Sequence, residues 1–179
     1  MNTFFTTLIV GISLSMDAFS LALVYGTQGL NRKSEVLLSI IVGIYHFVMP
    51  LIGLFFGNLI FSYFMFNVNL LVAIIFSIIG IEMIISSFKD EEVKVFLSLG
   101  GFLLFGLSVS IDSLTTGIGL RAISNNYLCV ASIFMITSGV FTYVGLKLGN
   151  KLSDKFGKYA TIVGGAILII LGIYYMFGH

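Results

Sequence analysis

A chain of 179 residues that is 58% hydrophobic and 9% charged, with a mean hydropathy of +1.11, is too apolar for a soluble domain, which runs at roughly 45–50% apolar and about 25% charged. Its place is a lipid bilayer. The formal net charge of +1 calls for no polyanionic partner such as nucleic acid, and the apolar runs leave too little chain between them for an ATPase or another soluble module.

A spanning helix takes about 20 mostly apolar residues. Six runs meet that length, at residues 3–25, 36–57, 67–88, 95–120, 127–146 and 159–177, so the expected fold is an all-α integral membrane protein. Neither a phosphate-binding loop nor the alternation of a barrel strand is legible.

The first run lacks a basic start and a small-residue cleavage site, so it reads as a retained helix and not a secretory signal. It carries Gly11-Ile-Ser13-Leu-Ser15-Met-Asp17. A carboxylate at the centre of a membrane helix costs roughly 2.5–3.5 kcal/mol on insertion scales, which marks Asp17 as functional. Ser13, Asp17 and Ser20, at i, i+4 and i+7, share one helical face. In the second run His46 lies near the middle and Pro50 follows four residues later. Proline has no N–H for the carbonyl at i−4 and clashes with it, so the backbone oxygen of His46 should be freed at a kink. Irregular backbone at membrane depth is tolerated only against protein or water. His46 is thus either a ligand or gate, or a packing histidine beside an ordinary kink.

The third run carries Glu82 toward its C-terminal end, to line a vestibule or to snorkel. The fourth repeats the opening pattern as Gly106-Leu-Ser108-Val-Ser110-Ile-Asp112, with Thr115 or Thr116 completing the face of Ser108 and Asp112. The hydroxyls on both faces either solvate a carboxylate and line a hydrated path, or bond back to their own helices and let neighbours approach. Cys129, in the fifth run, is the sole cysteine and excludes an internal disulfide. Gly53-x-x-x-Gly57 and Gly145-x-x-x-Gly149 read as packing motifs.

The repetition extends past the aspartates. An offset of 95 superposes Asp17 on Asp112, and an offset of 92 superposes Gly53-Leu-Phe-Phe-Gly57-Asn58 on Gly145-Leu-Lys-Leu-Gly149-Asn150 and Ile79-Gly80-Ile81 on Leu171-Gly172-Ile173. Residues 1–93 and 94–179 then form two three-helix repeats. An odd number of spans inverts the second relative to the first, a transporter design whose binding site lies near the midplane between the repeats.

Arg32, Lys33, Lys89, Lys94, Lys147, Lys151, Lys155 and Lys158 fall in or beside the connections after the first, third and fifth spans, with only Arg121 on the other side. Basic residues in short loops mark the cytoplasmic face, so both termini should lie outside. Asp90, Glu91, Glu92 and Asp154 share those loops but weigh little in that rule.

At these residues the chain resembles the MntP manganese efflux pumps, small six-helix bacterial membrane proteins grouped with LysE-type exporters. The resemblance rests on Ser15-Met-Asp17-Ala-Phe19, Met49-Pro50-Leu-Ile-Gly53, Met83-Ile-Ile-Ser-Ser-Phe88, Ser110-Ile-Asp112-Ser-Leu114 and Gly117-Ile-Gly119-Leu. It implies manganese(II) export across the bacterial inner membrane, with the family's intramembrane aspartates at Asp17 and Asp112. At the position of His46 family members carry either glutamate or histidine, and the acid at Glu82 departs from the family pattern. Carboxylate and carbonyl oxygens with an occasional imidazole suit Mn²⁺ and also admit Zn²⁺, so the selectivity comes from the resemblance and not from the residues.

The expected metal site is therefore Asp17, Asp112 and His46, with Ser13, Ser20, Ser108, Thr115, Thr116 and Glu82 along the substrate path and Pro50 as the kink. The expected cycle exchanges the metal for protons at that site. The expected partners are the divalent ion as substrate and the bilayer, with no resident cofactor and no enzymatic step. An exporter of another small cation or of a basic amino acid, or a non-transporting membrane factor that keeps the fold, are the alternatives.

Overall fold

A computed structural model describes residues 3–63, 67–88, 96–119, 126–149 and 154–177. The described residues form seven helices: α1 (Thr3–Gly26), α2 (Arg32–Tyr63), α3 (Val68–Ser86), α4 (Leu99–Ser108), α5 (Ile111–Ile118), α6 (Tyr127–Leu148) and α7 (Asp154–Phe177). Six spans are long and apolar enough to cross a membrane, because α4 and α5 together make one, Leu99–Ile118. Among the described residues there is no strand. Side-chain amide and hydroxyl caps start several helices: Asn67 accepts from the amides of Asn69 and Leu70, Ser98 from Gly101, and Asn126 from Cys129.

Two elements depart from the expected runs. The second span extends from Arg32 to Tyr63 with Pro50 inside it. At about 1.5 Å per residue it is longer than a hydrocarbon core of about 30 Å, so its ends project beyond the apolar layer. The fourth run, expected as one helix, is interrupted at Val109 and Ser110, directly before Asp112. The same motif runs unbroken through α1. The serine is flanked by β-branched Val109 and Ile111 here and by Leu14 and Met16 in α1, but α3 runs unbroken through Ile74-Ile75 and Ile78-Ile79, so β-branching does not account for the break. Asp112 thus falls in the first turn of α5, where the helix dipole favours a negative charge.

Packing follows the glycines. α1 lies along α6 and α7, α2 along α4, α5 and α6, and α3 along α7. At Gly53 a β-carbon would collide with the Leu114 carbonyl and at Gly117 with that of Pro50, so α2 and α5 meet backbone to backbone around the proline. Gly117→Val should force this crossing apart, an overpacking cost of about 3 kcal/mol or more. The expected result is a sharp fall in the monodisperse peak of detergent-extracted protein; an unchanged peak would contradict this packing.

The glycine contacts also recur at the sequence offsets. Gly53 abuts Leu114 and Gly117, while Gly145, 92 residues after Gly53, abuts Phe19 and Ala22, which stand 95 residues before Leu114 and Gly117. Gly57 meets Ile118 and Gly149 meets Leu23, in the same relation. Gly11 faces Ile133 and Thr137, and Gly106 faces Ile41 and Tyr45. Gly80 meets the Gly165 carbonyl, and Gly172 meets that of Ala73.

One correspondence fails. Gly164 of α7 lies against Ser13 and Met16 of α1, whereas Val72 of α3, the residue at its offset, lies against Gly119 at the far end of α5. α5 meets α3 over a short patch only, whereas α1 lies along α7.

Candidate transport site

The two motif aspartates stand on different helices, Asp17 in α1 and Asp112 at the start of α5, and both are partly buried. Glu82 of α3 is exposed. The three carboxylates lie within electrostatic reach of one another, Asp17 with Glu82, and Asp112 with both. Three acids from three membrane-spanning helices therefore influence one another electrostatically. Uncompensated negative charges repel strongly in a low dielectric. Among the described residues, however, no three His, Cys, Asp or Glu side chains are already close enough to hold a metal ion.

His46 is buried, and its Nδ1 lies 3.0 Å from the Val42 carbonyl. That bond requires Nδ1 to carry the proton, which leaves a lone pair on Nε2. Nε2 is itself buried with no hydrogen-bond partner among the described residues, as are the hydroxyls of Ser13, Thr116 and Thr142. An unsatisfied buried polar group costs about 1–3 kcal/mol, so four on four helices mark positions where water or a passing ion is to be sought.

The remaining path residues are placed unevenly. Ser20 packs beside Gly157 of α7. Ser108 is exposed and donates to the Leu104 carbonyl, and Thr115 donates to that of Ile111. Thr116 points into the protein. Pro50 lies against Gly117, next to Thr116 in the chain. Lys89, Asp90, Glu91, Glu92, Lys94, Arg121 and Lys151 lie outside the described residues, as does the boundary at residues 93 and 94.

Sequence reasoning passed over α6. Ser138 is buried and shares a 3.0 Å hydrogen bond with Ser15, and Thr142 is buried without a partner. The 92-residue offset contains the missing signal, since it carries His46 onto Ser138 and Pro50 onto Thr142. It passed over Glu35 as well, which pairs with Lys147 at 2.9 Å between the ends of α2 and α6.

Six spans long and apolar enough to cross a membrane, one of them discontinuous, define a multi-pass membrane protein. A family model described as "Putative manganese efflux pump" (Mntp) matches residues 29–176, and the chain belongs to that family. Proteins named "Putative manganese efflux pump MntP" from Bacillus velezensis and Desulforamulus reducens are each 34% identical to it, over 92% and 94% of this chain and 90% and 96% of theirs. One of that name from Halalkalibacterium halodurans is 33% identical over 93% of this chain and 92% of its own. No solved structure matches the chain.

Proposed function

We propose that this protein exports manganese(II) from the cytoplasm as a secondary transporter and not an enzyme, in the plasma membrane with both termini outside, exchanging the metal for protons. The observation that carries the reading is that Asp17 and Asp112, from two copies of one motif, lie within electrostatic reach of each other and of Glu82. Carboxylates supply the hard oxygen ligands that Mn²⁺ favours, and the free lone pair on His46 Nε2 supplies a borderline nitrogen. The cation offsets the repulsion among the acids; on its departure protons take over that role, which couples the two fluxes.

The glycine contacts that recur at offsets of 92 and 95 support an inverted pair of three-helix repeats, at residues 1–93 and 94–179. The unequal contacts support a conformational reading. α1 is closed on α7, while α4 and α5 stand away from α3 except near Gly119. The parted end carries Glu82 and the start of α4, which the basic loops assign to the cytoplasm. On that orientation, the unequal contacts support reading this state as the one that admits the metal from inside. Exchange of the two halves' contacts, α5 onto α3 and α1 off α7, would open the site outward and bring the ligands together.

Intracellular metal content, measured by mass spectrometry in a strain lacking its own manganese exporter, tests substrate and direction together. Expression should lower cell manganese and restore growth in excess Mn²⁺, with little effect on zinc, cobalt or iron. Unchanged manganese, or protection against lysine or another metal instead, would overturn the assignment.

A further inference from the structure

The outer surface where α2 and α6 cross is indented. A groove of 630 Å³, within the size range of ligand clefts, runs between Val36, Ile40 and Ile44 on α2 and Ile136, Val140 and Tyr143 on α6. Its walls are almost wholly apolar, and five of these six side chains are strongly exposed in the isolated chain, so its occupant is hydrocarbon.

One end of the groove is not apolar. Beyond Tyr143, the Lys147 ammonium stands 5.7 Å from the centre of the tyrosine ring, 2.9 Å from Glu35 and 46% exposed. Arg32 lies within electrostatic reach of Lys147, and Lys33 follows it in the first turn of α2. Among the described residues, three cations against the one carboxylate of Glu35 leave this end positive. Basic clusters between membrane helices on the cytoplasmic side receive anionic headgroups.

We infer that the α2–α6 groove is a binding site for an anionic phospholipid, one acyl chain lying between the helices and the phosphate at Arg32 and Lys147. The two parts of the site act together, since a hydrocarbon cleft without the cations would not select a headgroup and the cations without the cleft would not hold a chain. The groove lies on α2 and α6 alone, away from the aspartates on α1 and α5, so the inference stands independently of the transport reading.

Native mass spectrometry of the full-length protein, released from nanodiscs of phosphatidylglycerol and phosphatidylcholine in equal amounts, tests it without any metal. Each cation near an anionic group is worth roughly a fivefold factor and Glu35 offsets part of one, so phosphatidylglycerol should be retained with a preference on the order of tenfold. Arg32→Gln, which leaves the Lys147–Glu35 pair intact, should lower that preference severalfold. Ile136→Trp, which fills the groove from a lipid-facing position, should lower retention of both lipids, and excess inorganic phosphate should displace neither. Equal retention of the two lipids, an unchanged preference in Arg32→Gln, unchanged retention in Ile136→Trp, displacement by phosphate alone, or a second copy of the chain cross-linked across an Ile136→Cys site would each overturn the inference.

Discussion

Asp17→Asn and Asp112→Asn are each expected to abolish manganese resistance while membrane abundance holds or rises. The amide keeps the volume and much of the hydrogen bonding of the carboxylate but removes its charge. At 4 Å and an effective dielectric of 20, one unit charge pair is worth about 4 kcal/mol, and a divalent ion loses at least that much with each aspartate, close to a thousandfold in affinity. The protein without metal should respond in the opposite direction. Removing one of three mutually repelling acids at membrane depth relieves electrostatic cost, so thermal unfolding in detergent should be unchanged or shifted upward. Loss of transport with retained or increased stability is the signature of a site residue; a packing residue would lose both. Full protection by either variant in a sensitive strain would remove that aspartate from the site.

The second large effect concerns the inequality between the halves. Ser13 and Ser108 occupy equivalent motif positions, yet Ser13 is buried beside Gly164 and Ser108 is exposed. In a Cys129→Ser background, a thiol at Ser108→Cys should react readily with a membrane-impermeant reagent supplied from the cytoplasmic side, and one at Ser13→Cys should be protected. Turnover with manganese inside and protons outside should reverse the ranking, with Ser13→Cys becoming reactive from the outside. Equal and unchanging reactivity at the two positions would show that the unequal packing of α1 and α5 is not one half of a transport cycle.

Much of this was legible because the relevant signals are local and large. Twenty consecutive apolar residues leave a chain few choices but a membrane helix, and an aspartate within such a run stands out because lipid cannot solvate it. The same logic made His46 and Pro50 visible. Family membership follows from segments spread along the chain, and the residues quoted for the resemblance lie in both the first half and the second.

What the sequence left open depends on partners distant in the chain. The break before Asp112 was missed because Val109 and Ile111 are unremarkable in a membrane run and the matching motif in α1 is continuous. Ser138 and Thr142 were passed over because a hydroxyl in an apolar helix is ordinary until its burial and its missing partner are known. Whether Glu82 snorkels or joins the aspartates is a question of which helix stands opposite.

The order of apolar and polar residues alone determined a six-span membrane protein, the two aspartates within its spans and its family, since the cost of placing a charge or a bare peptide group in lipid arises residue by residue wherever the chain folds. Tertiary structure alone decided which acids come within electrostatic reach, that α1 lies along α7 while α5 touches α3 only near Gly119, and where α2 and α6 leave a groove. Those features come from weak backbone and side-chain contacts summed across helices far apart in sequence, where the same glycines can serve more than one arrangement.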